Sequence, residues 1–131
     1  ALIDKLVEEH YENPDVEMST LISTQIELQD YDNESIVKAF LDEDKFAIDF
    51  RRKGSSKYKH LGIYGFTKKA LFNFVDFAQT DSEKSRSLEQ MRALDNGIKI
   101  KAIITEKDSL SINTLDDFLM LKHKLRQDKE W

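Results

Sequence analysis

The sequence predicts an α/β domain in which helices flank a mixed β-sheet. The first observation is the segment YKHLGIYGF at 58–66, whose aromatic and β-branched residues and two glycines are typical of a strand in a sheet centre. The second is a series of shorter strand-like segments before and after it along the chain. The third is the helical spacing of apolar residues in the segments that flank these strands. Helices and strands mixed in this way indicate the α/β class.

The chain before this central strand is predicted to form one helix and three strands. Its segments are a helix over 1–12, a strand over 16–24, a polar loop over 25–35 and a strand pair over 36–41 and 45–50. Asn13-Pro14 ends the helix, because the residue before a proline disfavours helical geometry. Phe46, Ile48 and Phe50 occupy alternate positions, which is strand periodicity.

The chain after the central strand is predicted to form three helices and one strand. These are a helix from an N-cap at Thr67 to Ala78, a helix opening at Asp81 or Ser82, a strand over 98–105 and, after a loop over 106–111, a helix opening at Thr114. Asn96-Gly97 supplies a left-handed cap for the second helix. Asp117 follows Thr114 by three positions, which resembles a capping box.

The helix that follows the central strand is rich in apolar residues. Its predicted buried stripe, at helical spacing, consists of Leu71, Phe74, Val75 and Ala78. Phe72 and Phe77 lie off this stripe, so they form either a second buried side or a contact between subunits.

Length and composition narrow the class of protein. The 131 residues suit a single domain over 1–131 with one core. A formal charge of −5 argues against a general nucleic-acid binder, because no basic excess neutralises phosphates. The absence of cysteine excludes a disulfide framework and fits a reducing, cytoplasmic compartment. No apolar run has membrane-spanning length, and since the chain opens at Ala1 in helical pattern, we expect the natural N-terminus upstream.

Three groups of polar residues are candidates for a binding site. His60 opens the central strand, where it is either a partly buried histidine bonded to backbone or a ligand contact. Glu89 and Arg92 share a helix face, so they form either a surface ion pair or, with Gln90, a polar wall toward a ligand. The basic run at 51–53 either grips a carboxylate or phosphate or is a solvated loop. From the residues alone, the chain is an α/β domain with a polar site near His60.

Asn113 is a further candidate, because it lies between a strand-like dipeptide and the start of the last helix. Its amide either coordinates a cation or ligand oxygen or serves turn and cap chemistry. The sequence contains no phosphate-cradling glycine loop, no nucleophile elbow and no histidine pair at metal-binding spacing.

Four motifs in order resemble the C-terminal half of the CMP-Kdo synthetases, which are 3-deoxy-manno-octulosonate cytidylyltransferases related to the acylneuraminate cytidylyltransferases. The motifs are KHLGIYGF at 59–66, SLEQMRAL at 87–94, NGIKIK at 96–101 and INTLDDF at 112–118. PDVEMSTL at 14–21 and IVKAFLD at 36–42 resemble the strands that precede this block. The resemblance implies that 1–131 is the C-terminal part of a nucleotidyltransferase domain of the glycosyltransferase A type.

The resemblance also implies a reaction and its participants. In the family, the anomeric hydroxyl of a 3-deoxy sugar acid attacks the α-phosphate of CTP with Mg²⁺, releases pyrophosphate and yields CMP-Kdo for lipopolysaccharide synthesis. By motif match, His60, Glu89 and Gln90 contact the sugar, and Arg51 lies near the sugar carboxylate. Asn113 occupies a metal-ligand position. A homodimer formed largely through this half is expected, with neither nucleic acid nor membrane as a partner.

Three departures from the family pattern bear on activity. The family's N-terminal half, which supplies the nucleotide-binding loop, the cytosine pocket and one metal aspartate, lies outside this sequence. Asn113 stands where the family has Asp, and a neutral amide is a weaker Mg²⁺ ligand. The segment after Arg51 is shorter than in the family. We therefore predict that the chain alone does not catalyse the reaction. Two alternatives to a Kdo-specific cytidylyltransferase remain. One is a non-catalytic dimerising or sugar-binding module, and the other is an enzyme for another eight- or nine-carbon sugar acid.

Overall fold

The structure is a computed structural model that describes residues 2–107. Its elements are α1 (Leu2–Glu12), β1 (Met18–Ser23), a 3-10 helix (Leu28–Asp32), β2 (Lys38–Leu41), β3 (Ala47–Arg51), β4 (Tyr58–Phe66), α2 (Lys68–Asp76), α3 (Asp81–Arg86), α4 (Gln90–Asp95) and β5 (Ile100–Thr105). The predicted last helix and Asn113 lie outside the described residues. No helix within residues 2–107 combines the length and the apolar character needed to cross a membrane.

The five strands form one sheet in the order β3-β2-β4-β1-β5. β1 and β5 are parallel, whereas β1 with β4, β2 with β4 and β2 with β3 are antiparallel pairs. The predicted α/β class with a mixed sheet is therefore confirmed. The segment 58–66 is β4, the central strand of the five, as its composition predicts.

A bulge in β4 sets the register in which this strand pairs with β1. Thr20 of β1 pairs with Tyr64 and Ile22 pairs with His60, so β4 uses two more residues than β1 over this interval. Gly62 lies inside the bulge with φ of +77°, a conformation that glycine adopts without steric cost. His60 and Tyr64, on either side of the bulge, lie on the same face, with their ring centroids 5.3 Å apart.

Helices cover both faces of the sheet. On one face, α1 packs Leu6 over Leu21 of β1. Gly65 of β4 makes this approach possible, because a Cβ there would lie 2.9 Å from His10 Nε2 of α1. The opposite face carries the main core, whose buried members include Met18, Ile22, Phe50, Met91 and Ile100. The polar residues of interest lie on the side of this main core.

The helix predicted to open at Asp81 or Ser82 is in fact two helices, α3 and α4. The break is at Ser87, whose backbone is left-handed with φ of 54° and ψ of 45°. A non-glycine residue costs roughly 1–2 kcal/mol in this conformation, so neighbouring contacts must hold it. Apolar spacing did not reveal the break, because the buried apolar residues Leu88 and Met91 both follow Ser87 and their spacing is helical on that side alone. The predicted loop at 25–35 also contains a short 3-10 helix.

The predicted apolar stripe of α2 is wrong in part. Leu71 and Val75 are 42% and 61% exposed, and Phe72 is 57% exposed. The face that meets the sheet is shifted, and its members are Ala70, Phe74 and Phe77. These residues also have helical spacing, and since α2 carries apolar residues on several sides, periodicity alone did not distinguish the two faces.

Candidate functional site

A cleft of about 340 Å³ opens between β4 and the turn that joins α3 to α4. β4 contributes His60, Gly62 and Tyr64, and the turn contributes residues 87–90. The structure thus brings together three of the four residues predicted to bind the sugar, namely His60, Glu89 and Gln90. Residues that are 23 or more positions apart in sequence meet here because β4 lies beside the turn.

His60 is held in the cleft by contacts on two sides of its ring. Its Nε2 lies 2.8 Å from Thr20 Oγ1, so its side-chain partner is a hydroxyl rather than backbone. The Phe50 ring meets it edge to face at 5.0 Å between centroids. Burial against these apolar groups lowers the pKa of His60 from 6.5 to about 4, because the charged ring loses its hydration. The imidazole is therefore neutral near pH 7.

Gln90 forms the opposite wall of the cleft. It is only 2% exposed, and its Oε1 accepts a hydrogen bond of 2.9 Å from the Tyr64 hydroxyl. Its Nε2 is buried and has no hydrogen-bond partner within residues 2–107. A buried amide without a partner costs free energy, so this donor is suited to an oxygen atom of a bound ligand.

Glu89 places a carboxylate at the edge of the cleft, where its side chain is exposed. Glu89 does not form the ion pair with Arg92 that the sequence left as one of two alternatives. Arg92 instead donates two hydrogen bonds to Glu83, at 2.8 and 2.6 Å, and lies over the Phe74 ring. The pKa of Tyr64 is raised mainly by burial and to a smaller extent by the negative charge of Glu89. The Tyr64 hydroxyl therefore keeps its proton at neutral pH.

Arg52 braces the turn that carries Glu89 and Gln90. Its guanidinium donates to the carbonyl oxygens of Arg86 at 2.7 Å, of Glu34 at 2.8 Å and of Ser87 at 2.9 Å. The Arg52 guanidinium is therefore occupied by backbone carbonyl oxygens. The basic run at 51–53 was a candidate for binding a carboxylate or phosphate, and this member of it has a structural role. Because Ser87 is left-handed, these bonds supply part of the support that its conformation needs.

Arg51 is the predicted sugar-binding residue that the structure does not bring to the cleft. Its Nε donates to Asp49 at 2.6 Å, and its guanidinium lies 5.1 Å from the centre of the Phe40 ring. It ends β3, which is separated from β4 by β2. A role near the sugar carboxylate stays a prediction.

Two residues of the cleft region were missed by the sequence interpretation. Tyr64 lies four positions after His60 on the same strand, and this even spacing could have indicated a shared face. Thr20 carried no such signal, because its partner depends on which strands pair and on the register of the bulge.

The metal prediction has no counterpart in the described part of the chain. Within residues 2–107, no group of three or more His, Cys, Asp or Glu side chains could hold a metal ion. Asn113, the predicted metal-ligand position, lies outside this range.

Comparison with known proteins places the chain in a family. The cytidylyltransferase family model matches residues 1–100. The chain belongs to the cytidylyltransferase family. A 3-deoxy-manno-octulosonate cytidylyltransferase of Thermodesulfovibrio yellowstonii is 39% identical to it, over 88% of this chain and 51% of the relative. A second one, of Trichlorobacter lovleyi, is 31% identical over 97% of this chain and 58% of the relative.

A solved structure supports the fold assignment. A CMP:2-keto-3-deoxy-manno-octonic acid synthetase complexed with CTP matches with a TM-score of 0.74 at 21% identity. The match covers 96% of this cytidylyltransferase chain and 56% of that one. The resemblance inferred from the four motifs is therefore confirmed for family and fold. The chain spans about half the length of the curated relatives it matches.

Proposed function

We propose that this chain is part of a cytidylyltransferase that transfers CMP from CTP to a 3-deoxy sugar acid, Kdo or a close relative, and that its cleft binds the sugar acid. The observation that carries the proposal is the convergence of His60, Glu89 and Gln90 on one cleft in a member of this family. The relatives at 39% and 31% identity bear the name of this activity. A cytoplasmic location and a place in lipopolysaccharide synthesis belong to the proposal by resemblance.

The contribution of the cleft to this reaction is binding and orientation. The bond that forms joins the anomeric oxygen of the sugar to the α-phosphorus of CTP, and the bond that breaks releases pyrophosphate. A neutral imidazole, an unpartnered amide and an exposed carboxylate are suited to the hydroxyl and carboxylate groups of a sugar acid. Holding the reacting hydroxyl in a fixed position lowers the entropic part of the barrier.

Mg²⁺ enters this proposal by resemblance alone. When bound, it would neutralise phosphate charge as pyrophosphate leaves. Within residues 2–107, no group of three or more His, Cys, Asp or Glu side chains could hold the ion.

Kdo binding to the 131-residue chain, measured by isothermal titration calorimetry, tests the proposal. We expect saturable binding of Kdo and none of glucose, which lacks the carboxylate. Gln90→Met keeps the side-chain length but removes the donor, together with the acceptor of the Tyr64 hydroxyl, and we expect roughly tenfold weaker binding. Gln25→Met, at an exposed loop position, is the matched control and should bind Kdo like the parent chain. Equal binding of Kdo and glucose, or an unaffected Gln90→Met variant, would contradict the proposal.

A second candidate function is a non-catalytic, dimerising module, and the surface of α2 favours it. Leu71, Phe72 and Val75 are exposed on this helix. Leu71 also lines an apolar groove of about 600 Å³ between α1, β4 and the start of α2, to which Val7 and Ile63 contribute. Contiguous exposed apolar surface of this kind is typical of interaction sites, so we propose that it meets the same face of a second copy.

Sedimentation equilibrium of matched variants tests the dimer. We expect Phe72→Glu to dissociate it and Ile48→Glu to leave it intact, since Ile48 is similarly exposed, at 61%, but lies on the edge strand β3. A monomeric parent chain would refute the dimer.

The two candidate functions differ in what Asn113→Asp does in the full-length protein. A large gain in the Mg²⁺-dependent rate favours a cytidylyltransferase with decayed catalysis, whereas no change favours the separate module.

A further inference from the structure

We propose that Thr20 is a positioning residue that holds His60 as a hydrogen-bond acceptor, so that the cleft recognises a hydroxyl donor of its ligand at this point. The inference rests on the proposed function, because it names the group of the sugar acid that is recognised at His60. It is carried by the contacts of Thr20 with His60 and Ile63 and by the packing of His60 against Phe50 and Tyr64.

The first step is a count of protons at Thr20. Its Oγ1 donates to the backbone oxygen of Ile63 at 2.7 Å, and a carbonyl oxygen can only accept. A threonine hydroxyl has one proton, so this bond uses it. The same Oγ1 lies 2.8 Å from His60 Nε2, and it can now act only as an acceptor. Nε2 must therefore carry the hydrogen.

The second step concerns the other ring nitrogen. Packing against Phe50 and Tyr64 keeps the imidazole neutral near pH 7, so only one of its nitrogens is protonated. Since this is Nε2, the lone pair at Nδ1 is available. Within residues 2–107, Nδ1 has no hydrogen-bond partner. In the opposite tautomer, Nε2 and the Ile63 carbonyl oxygen would both have to accept the single hydroxyl proton of Thr20. One hydrogen bond would be lost, so the Nε2–H form is favoured by roughly tenfold or more.

The third step is the chemistry that this acceptor selects. A lone pair at His60 attracts a hydroxyl group, which can donate, and repels a carboxylate, which cannot. Gln90 has the opposite polarity, because its unpartnered Nε2 donates. A sugar acid is therefore oriented with a hydroxyl at His60 and a carboxylate or other acceptor oxygen at Gln90.

Nuclear magnetic resonance of the 131-residue chain, labelled with ¹⁵N-histidine, measures the tautomer directly at pH 7. We expect the Nε2–H form for His60 in the parent chain and in Thr20→Ser, which retains the hydroxyl. Thr20→Val has nearly the same shape but no hydroxyl. In this variant the ratio of the Nε2–H form to the Nδ1–H form of His60 should fall at least several-fold. An Nδ1–H form in the parent chain overturns the inference without reference to any variant, as does an unchanged tautomer in Thr20→Val.

Binding of Kdo analogues tests the recognition step. Replacement of one hydroxyl at a time by fluorine removes the donor while keeping a similar size. For one position we expect roughly tenfold weaker binding to the parent chain and to Thr20→Ser, with a smaller loss in Thr20→Val. If no fluorinated analogue is weakened, the acceptor role of His60 is refuted. If Kdo itself does not bind although the Nε2–H form is observed, the proposed sugar site fails while the assignment of Thr20 stands.

Discussion

Replacement of Arg52 by methionine should loosen the turn that forms one wall of the cleft. The change removes three hydrogen bonds to carbonyl oxygens, one of them part-buried and two exposed to water. Bonds of this kind contribute about 0.5–1.5 kcal/mol each, with the exposed ones at the low end because water replaces the donor. We therefore expect the free energy of unfolding to fall by about 2 kcal/mol.

The neighbouring residue provides the control for this prediction. Arg51→Met removes an ion pair to Asp49 in which the arginine side chain is 59% exposed, so its cost should not exceed about 0.5 kcal/mol. Urea unfolding followed by circular dichroism measures both variants. Kdo binding should weaken in Arg52→Met, because Glu89 and Gln90 follow the braced turn. Equal stability losses in the two variants would refute the argument that Arg52 braces this turn.

Three further predictions concern conformation and charge. Gly62→Ala should cost roughly 1–2 kcal/mol of unfolding free energy in urea, because φ is +77° there although a Cβ meets no atom within 4 Å. His60 should show half-protonation near pH 4 in a magnetic resonance titration, and since its unfolded pKa is higher, stability should decline as the pH falls below about 6.5. Hydrogen bonding to Arg92 lowers the pKa of Glu83, so the parent chain should lose stability as the pH falls below about 4.5. In Arg92→Met the largest cause of the lowered pKa of Glu83 is removed, so the loss of stability between pH 7 and pH 4, measured by unfolding at both, should be smaller than in the parent chain.

The sheet and most of its strands could be predicted from the sequence because their signals are local. The bounds of β4 follow from its β-branched and aromatic run, and the antiparallel pair β2–β3 follows from alternation around a short acidic turn. The start of α2 follows from a Thr67 side chain that accepts from the Ala70 N–H, as an N-cap should. Each of these features depends on residues only a few positions apart.

The features that were missed depend on contacts between distant segments. The left-handed Ser87 is held by an arginine 35 positions earlier, so helical periodicity through 81–95 carried no sign of the break. The buried face of α2 was misassigned in part, because Phe74 was predicted correctly but the choice between Phe77 and Leu71 with Val75 depends on where the sheet lies. The interpretation of the basic run failed to separate Arg51 from Arg52, whose partners lie on different elements.

The partners of the cleft residues depend on the bulge in β4, and the only local sign of this bulge in the sequence is Gly62. Alternation along a strand places His60 and Tyr64 on one face, but their partners depend on the register with β1. The bulge at Gly62 lets Thr20 pair with Tyr64 while its hydroxyl reaches His60 Nε2 and the carbonyl of Ile63. Loss of the bulge would move one of these partners out of reach and release the constraint on the imidazole tautomer. Gly62 should therefore affect ligand recognition through Thr20 and His60, without itself contacting the ligand through a side chain.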